Sequence, residues 1–305
     1  MKKFVISFAF IIVVLFAVDR SVGRVMWWVN QHTNDVSGPK IKYLVNDVDE
    51  DMVLMGASRC NCHYVPSIIS DSIGMSVYNG GVDASNNIYA HFIVLSHIMS
   101  HHKPRYVCLE VMTSDFEKSD DSFMTTTFFA PYFGINERAD SVFRLAGTYT
   151  TYKVSHLYRY NAKSLSNILG LVVNRQQGGD NGYIPYPRTD NYPDTLIKSA
   201  TVRDIDSTKL RYVQKFIDLC YANGTKVIFT VSPSYSIVDR DYYDVIKEVA
   251  LHNDIPFMDY HTHGLFLEDA ENFRDQIHLR DEESARRFSV IFAHDLKQVL
   301  ERWNN

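Results

Sequence analysis

Short apolar runs alternate along this chain with longer helical stretches, and this alternation constrains the fold more than any other feature. Strands separated by such helices predict a mostly parallel central sheet with helices on both faces, a three-layer α/β/α fold. The strand-like runs lie at 51–55, 76–78, 105–112, 226–231 and 256–260. The clearest helical stretches follow them at 87–101, 209–223, 242–253 and 281–303.

The first apolar run ends in a turn that carries a serine. The residues are Gly56-Ala57-Ser58-Arg59, and in an open parallel sheet ligands bind at the carboxyl ends of the strands. A serine hydroxyl there becomes a nucleophile once a base removes its proton. The alternative role is that of a turn serine that caps a helix. The pattern is not Gly-x-Ser-x-Gly, which disfavours the α/β-hydrolase family.

A matching base lies near the C-terminus, in the run Asp275-Gln-Ile-His278. At this spacing the Asp275 carboxylate can reach the imidazole and fix its tautomer, leaving the other ring nitrogen for a nucleophile. The alternative is an ordinary surface loop. The run directly precedes the last predicted helix, where a final loop can fold back over the first strand. Ser58, Asp275 and His278 are therefore the predicted catalytic residues.

With these residues in place, the chain resembles the SGNH/GDSL-type hydrolases. The Asp275-to-His278 run and its helix are similar to the closing Asp-x-x-His block of that family, and Gly56-Ala-Ser58 resembles its first block, usually Gly-Asp-Ser. Asn79-Gly-Gly81 resembles the second block, and Glu110 to Asp115 stands in the place of the third, usually Gly-x-Asn-Asp. The resemblance covers about residues 50–115 and 225–300. It implies an SGNH-hydrolase or flavodoxin-like sheet and serine-dependent ester chemistry.

The resemblance also implies an oxyanion hole, which holds the negative oxygen of a tetrahedral intermediate. Its donors would be the backbone N–H groups of Ser58 and Gly81, together with residue 114. The family has an asparagine where this chain has Ser114, whose side chain is shorter. Because one missing donor can cost roughly 10²–10³ in rate, three alternatives remain: Ser114 substitutes poorly, another group such as Asn86 serves, or activity is low.

Contacts to substrate are predicted at three further positions. Arg59 either binds an anionic substrate group or pairs with an acid, and Asn86 is a polar neighbour of the second block. The loop 174–194 is rich in Gly, Pro and Tyr. Its Tyr183, with Tyr186 and Arg188, either lines a sugar site by stacking or packs the loop against the domain.

The N-terminus predicts export from the cytoplasm. Lys2 and Lys3 precede a 15-residue apolar run at 4–18, short of the roughly 20 residues that span a bilayer. Residues 1–29 are thus a signal anchor or a cleaved signal peptide, with Ser21-Val-Gly23 as the best cleavage match. Residues 30–50 form a polar connector and 51–305 the α/β domain, with an insertion at about 116–195. The expected place is the cell membrane, in a single pass, with the domain on the periplasmic or extracellular side.

Composition excludes several other classes. The net charge of −5, without a basic run beyond Lys2 and Lys3, argues against nucleic acid. No Cys-x-x-Cys pair occurs, so a zinc site is not expected. The His261-Thr-His263 pair lacks further ligands, and neither metal nor cofactor is predicted. The four cysteines are interpreted as buried small hydrophobic residues.

Three functions remain open on these grounds. The first is an exported, membrane-tethered, serine-dependent ester hydrolase that acts on an acylated carbohydrate or lipid. The second is an O-acyltransferase component that modifies a cell-surface polysaccharide, with a membrane-bound O-acyltransferase as its partner. The third is a catalytically weak binding protein on the same fold. Hydrolase and transferase share the same three residues, so the sequence alone does not separate them.

Overall fold

Five parallel strands form the central sheet of the computed structural model, in the order β2-β1-β3-β5-β7. The strands are β1 (Met52–Met55), β2 (Val77–Asn79), β3 (Tyr106–Glu110), β5 (Lys226–Val231) and β7 (Phe257–Asp259). With β1 second from one edge, this is the order of flavodoxin-like sheets. A separate parallel pair joins β4 (Ile197–Ser199) to β6 (Ser236–Val238). The structure describes residues 1–35, 37–161, 163–173, 179–190, 192–193, 197–199, 204–238, 243–261 and 264–304.

Side chains of β1 alternate between two apolar layers, as they must when both faces of a sheet are covered. Val53 and Met55 join the layer under the helices at 38–46, 88–101, 207–221 and 244–252, whereas Met52 and Leu54 join the layer under the helices at 66–73 and 282–304. The predicted three-layer α/β fold with a parallel sheet is therefore confirmed. The helices are α1 (Lys2–His32), α2 (Gly38–Asn46), α3 (Ser58–His63), α4 (Pro66–Ile73), α5 (Ile88–His101), α6 (Glu137–Leu145), α7 (Tyr149–Val154), α8 (Ser164–Val172), α9 (Ser207–Tyr221), α10 (Asp244–His252), α11 (Gly264–Leu267) and α12 (Glu282–Asn304).

The stretch predicted as a polar connector is helical and partly buried. Within 30–50, α2 packs against α5, and its Ile41, Leu44 and Val45 lie in the core. These residues follow a three- and four-residue spacing that gives a short helix one apolar face. Part of the segment therefore belongs to the domain.

The segment 116–195, predicted as an insertion, is built of short helices and turns wherever the structure describes it. Its Phe129 and Phe143 are fully buried in the apolar layer that contains Val53. The predicted loop 174–194 is only partly described, and its residues 174–178, 191 and 194 lie outside the described part.

Helix α1 continues well past the apolar run seen in the sequence. Its side chains from Phe4 to Val18 are exposed, and burial begins at Gly23 and Met26. Among the described residues, α1 is the helix long and apolar enough to cross a membrane. Asp19, the first charged residue after the apolar run, accepts hydrogen bonds from Ser155 Oγ at 2.5 Å and His156 N at 2.8 Å. The second half of the helix is thus attached to the domain.

Candidate active site

A sharp turn after β1 brings Ser58 to the carboxyl edge of the sheet. Gly56 has φ of +155°, and a Cβ there would lie 2.7 Å from Cys60 Cβ and 3.0 Å from Glu110 Cβ. Only glycine fits such a turn without displacing its neighbours. Helix α3 begins two residues later, at Ser58, whose side chain is partly exposed.

The structure brings Ser58, Asp275 and His278 together. His278 Nε2 lies 2.8 Å from Ser58 Oγ, and His278 Nδ1 lies 3.0 and 2.9 Å from the two carboxylate oxygens of Asp275. An ionised carboxylate only accepts hydrogen bonds, so Nδ1 carries the ring proton. Nε2 is then free to accept the proton of the Ser58 hydroxyl, which is the arrangement of a nucleophile, a base and an orienting acid.

A tight turn holds the acid of this group in place. The backbone N–H groups of Ile277 and His278 both donate to Asp275 Oδ1 at 2.9 Å. Partial burial raises the pKa of Asp275, but these bonds and the one from the His278 ring outweigh it and leave the pKa below its usual value. Asp275 is therefore ionised at neutral pH, as an orienting carboxylate must be.

A second histidine, His63, lies behind the first, and the sequence did not predict its role. At the end of α3, its Nε2 accepts a hydrogen bond from Leu279 N at 2.9 Å, so its Nδ1 carries the proton. Nδ1 donates to Ser232 Oγ at 2.8 Å, and Ser232 Oγ donates to Glu110 Oε1 at 3.0 Å. Glu110 pairs in turn with Arg59 at 2.8 Å.

This buried chain joins the helix that carries Ser58 to the residue directly after His278. Burial, followed by the nearby charges of His278 and Arg59, lowers the pKa of His63 well below its usual value. His63 therefore stays neutral, as its acceptor role requires. Its one signal in the sequence was the four-residue spacing between Arg59 and His63, which places both on one side of a helix that starts at Ser58.

The substrate role predicted for Arg59 is wrong, and the alternative of pairing with an acid holds. Its side chain is buried, and its guanidinium donates to Val111 O at 2.9 Å besides pairing with Glu110. A buried guanidinium needs such partners because an unpaired charge inside the protein is costly. Arg59 therefore belongs to the support of the site and faces no ligand.

The predicted oxyanion role of Gly81 conflicts with its hydrogen bonding. Its N–H donates to Asn79 Oδ1 at 3.0 Å, while Asn79 Nδ2 donates to the carbonyls of Cys60 at 2.7 Å and Tyr64 at 2.8 Å. The Asn79 amide thus ties the end of α3 to the loop after β2. Gly81 is required for another reason, since a Cβ there would lie 2.3 Å from Asn61 N.

The oxyanion role predicted for Ser114 is also contradicted. Its Oγ is buried and makes no hydrogen bond within the described part of the chain, and its carbonyl accepts from Lys209 Nζ at 2.9 Å. A hydroxyl shut away from solvent cannot reach a substrate oxygen at this edge. Asn86 is exposed in the loop before α5. Of the predicted donors, the Ser58 N–H remains, at the start of a helix that has no side-chain cap.

The two tyrosines predicted to contact substrate from the loop 174–194 lie in different surroundings. Tyr183 is buried in the apolar layer under α12, so its predicted substrate role is wrong and the packing alternative holds. The Tyr186 ring meets the His278 ring edge-on, with centroids 5.2 Å apart. Arg274 Cζ lies 4.5 Å from the centroid of the Tyr186 ring. Tyr186 and Arg188 line an open cleft of about 460 Å³ together with Asp281 and Glu282.

Other groups singled out in the sequence are structural. All four cysteines are buried and free, as predicted. His261 Nδ1 lies 2.5 Å from Asp259 Oδ1, whereas His263 is outside the described residues.

Lys40, absent from the predictions, is buried. Its Nζ donates to Asn61 Oδ1, and it donates to Gly81 O at 2.7 Å. Burial lowers the pKa of Lys40 to about 8.

Comparison with known proteins adds little to this geometry. No family model matches the chain, and no curated protein matches it. A crystal structure of a "putative acylhydrolase" from Bacteroides fragilis aligns with 84% of this chain and 95% of its own, with 13% identity and a TM-score of 0.40. A likeness of this size carries no argument about activity. The class of the protein, an α/β fold with a Ser-His-Asp group at its strand ends, follows from its own structure.

Proposed function

We propose that this protein is a membrane-tethered, serine-dependent ester hydrolase of the SGNH type that acts on an acylated carbohydrate or lipid. One observation carries the proposal. The Ser58 hydroxyl lies 2.8 Å from His278 Nε2, and the other nitrogen of that ring, Nδ1, is hydrogen-bonded to the ionised carboxylate of Asp275. This combination converts a weak alcohol into a nucleophile.

The reaction follows from the proton positions. His278 Nε2 takes the Ser58 proton while Oγ attacks the carbonyl carbon of the ester, and the Ser58 N–H holds the developing oxyanion. His278 then gives the proton to the leaving alcohol as the ester C–O bond breaks, and an acyl-Ser58 remains. Water, deprotonated by His278, attacks this second ester and releases the carboxylic acid and free Ser58.

The remaining oxyanion donor sets an expectation for the rate. Of the three donors that the family pattern implies, Ser58 N–H is left, because Gly81 N–H is bound to Asn79 and the Ser114 hydroxyl is buried. Loss of one donor costs roughly 10²–10³ in rate in other acyl-transfer enzymes. The proposed enzyme is therefore a slow hydrolase, suited to a substrate that is held close to it.

Two features support the choice of substrate and place. The Tyr186 ring beside His278 and the adjoining cleft offer an aromatic and polar surface of the kind that binds sugars. Helix α1 has an exposed apolar half, and Asp19, which precedes the best cleavage match at Ser21 to Gly23, accepts hydrogen bonds from Ser155 and His156 of the domain. This attachment favours an uncleaved anchor, with the lysines in the cytoplasm and the domain exported.

The test measures ester hydrolysis by the full chain in detergent micelles. Substrates are p-nitrophenyl acetate and an O-acetylated polysaccharide, and the variants are Ser58→Ala and His278→Ala. Ser67→Ala is the matched control, because Ser67 is a partly exposed serine of the neighbouring helix α4. The proposal expects acetate release that both site variants abolish and the control retains. Hydrolysis at the wild-type rate in Ser58→Ala would contradict it, and acetyl transfer to an added sugar in place of water would make the protein a transferase.

A further inference from the structure

A cavity of about 240 Å³ lies where the anchor helix meets the domain, away from the candidate active site. Gly23, Arg24 and Trp27 of α1 form one wall. The other wall comes from Pro131 to Ile135 and from the turn that carries His156 and Arg159. The cavity therefore depends on the junction between the N-terminal helix and the segment 131–160.

The charges in this cavity are positive and lack acidic partners. Arg24 is exposed, and neither Arg24 nor Arg159 has a carboxylate within ion-pair distance among the described residues. The nearest acids are engaged elsewhere, since Asp19 pairs with Arg20 at 2.6 Å and Asp140 accepts from Gly134 N at 3.1 Å. Two guanidinium groups thus line this space, and among the described residues no carboxylate forms an ion pair with either of them.

Contacts with the domain hold the Arg159 side chain in one position, so this wall of the cavity has a defined shape. Its Nε donates to Tyr152 O at 2.8 Å, its Nη1 to Phe133 O at 3.3 Å, and its Cζ lies 4.8 Å from the centroid of the Phe133 ring. Burial, together with the charges of Arg159, Arg20 and Arg24, lowers the pKa of His156. Burial is the largest cause of this shift, and Asp19 acts against the arginines.

The position of the cavity along α1 points to the membrane surface. The apolar run at 4–18 ends at the charged residues Asp19 and Arg20, so the edge of the hydrocarbon core lies near Asp19, and Arg24 follows about 7.5 Å further along the helix at about 1.5 Å per residue. Arg24 and Trp27 then lie in the headgroup layer, where aromatic rings and cationic side chains are favoured. Val154, Leu157 and Tyr158, which adjoin Asp19 and Arg20, are exposed at this level. Such apolar side chains beside a membrane-spanning helix suit contact with lipid.

We propose that this cavity binds the phosphate of an anionic membrane lipid, held between Arg24 and Arg159 with the aromatic wall against the glycerol and upper acyl chains. Arginine guanidinium groups pair with phosphate through strong charge-assisted hydrogen bonds. The inference rests on the proposed membrane anchoring and deepens it. A lipid in this place would fix the orientation of the domain on the bilayer, with the open cleft beside Tyr186 facing a constant direction.

The experiment measures lipid retention by the full chain. The protein is equilibrated in detergent with equal amounts of phosphatidylglycerol and phosphatidylcholine, and bound lipid is counted by native mass spectrometry. We expect roughly tenfold preference for phosphatidylglycerol, lost in Arg24→Gln and regained in Arg24→Lys, because a charge-assisted contact to phosphate is removed and restored. Arg138→Gln, at an exposed arginine of α6, is the control and should keep the preference.

Equal retention of the two lipids by the wild-type chain would overturn the proposal, as would an equal loss in Arg138→Gln. A second measurement adds inorganic phosphate as a competitor of the lipid. If millimolar phosphate abolishes the preference, the cavity is a site for free phosphate and the lipid proposal fails. Flotation with phosphatidylcholine vesicles separates this result from a failure of anchoring, since a chain that does not float contradicts the anchor itself.

Discussion

Two junctions hold distant parts of this chain together, and they are built in opposite ways. At the carboxyl edge of the sheet, a hydrogen bond of 2.8 Å joins Ser58 to His278, and a buried chain of hydrogen bonds behind them runs from His63 through Ser232 to Glu110. At the anchor, Asp19 bonds to the turn at His156, but Arg24 and Arg159 face a cavity without acidic partners.

The difference indicates which junction is complete within the chain. A buried network whose members hold one another by hydrogen bonds defines one arrangement strongly, and removing a member leaves its partner unsatisfied. At the anchor, Arg24 and Arg159 form no ion pair within the described part of the chain, so an anion from outside the protein can add a contact that the protein does not supply. We therefore expect substitutions at the first junction to lower activity or stability, and substitutions at the second to change what the protein binds.

The largest expected effect is that of His278→Ala. Without the imidazole, Ser58 has no base within reach, and hydrolysis of p-nitrophenyl acetate should fall roughly 10⁴-fold or more, as in other triad enzymes. Stopped assays of the full chain over hours measure the residual rate. A loss of less than tenfold would show that Ser58 does not depend on this histidine.

A smaller loss is expected in Asp275→Asn. The amide cannot hold the tautomer in which Nδ1 carries the proton, so kcat should fall roughly 10³-fold. Asp275 has about half of its side chain exposed, and water can replace part of its effect. Steady-state kinetics should show the change in kcat with little change in KM. Unchanged kcat would mean that the turn at Ile277 alone positions the histidine.

The third prediction concerns His63 and is tested by measuring the stability of the protein. The single amide of His63→Gln takes the position of one ring nitrogen, so it can keep the bond from Leu279 N or the bond to Ser232 but not both. The expected cost is about 1–3 kcal/mol in the free energy of unfolding. Chemical denaturation at pH 7 measures this cost. A loss below 0.5 kcal/mol, the usual effect of a surface change, would show that the buried chain is not needed.

His63 also predicts a pH dependence. Because its pKa is lowered in the folded state, the unfolded chain takes up a proton first as pH falls below the usual histidine value of about 6.5. Stability from this group is full above that pH and is lost towards pH 5. His97, whose pKa burial lowers to about 4, acts in the same direction. His63→Gln should therefore flatten the decline only in part, and an unchanged slope would contradict the assignment.

The smallest expected effect is that of Arg24→Gln on stability. The side chain is exposed and has no acidic partner among the described residues, so the free energy of unfolding in detergent should stay within about 0.5 kcal/mol of the wild type. A clear destabilisation would make the two junctions alike, because Arg24 would then be needed for folding.

The sheet and the Ser58 group could be predicted because their signals are local. Each strand is a short apolar run, and Asp275 and His278 lie on one turn of chain. The oxyanion donors could not be predicted, since the Asn79 amide competes for Gly81 N–H and no sequence pattern shows that competition. His63 escaped prediction for a related reason: its partners, Ser232 and Leu279, are more than 150 residues away in the sequence and meet it only in the fold.

The most direct test of the central claim is covalent labelling of the full chain with a fluorophosphonate, followed by peptide mapping. A serine activated by histidine forms a stable phosphonyl adduct, so the structure predicts a single adduct on Ser58. It should be absent in Ser58→Ala, strongly slowed in His278→Ala and unchanged in Ser67→Ala. An adduct on another serine, or none on the folded wild-type chain, would contradict the assignment of Ser58 as the nucleophile.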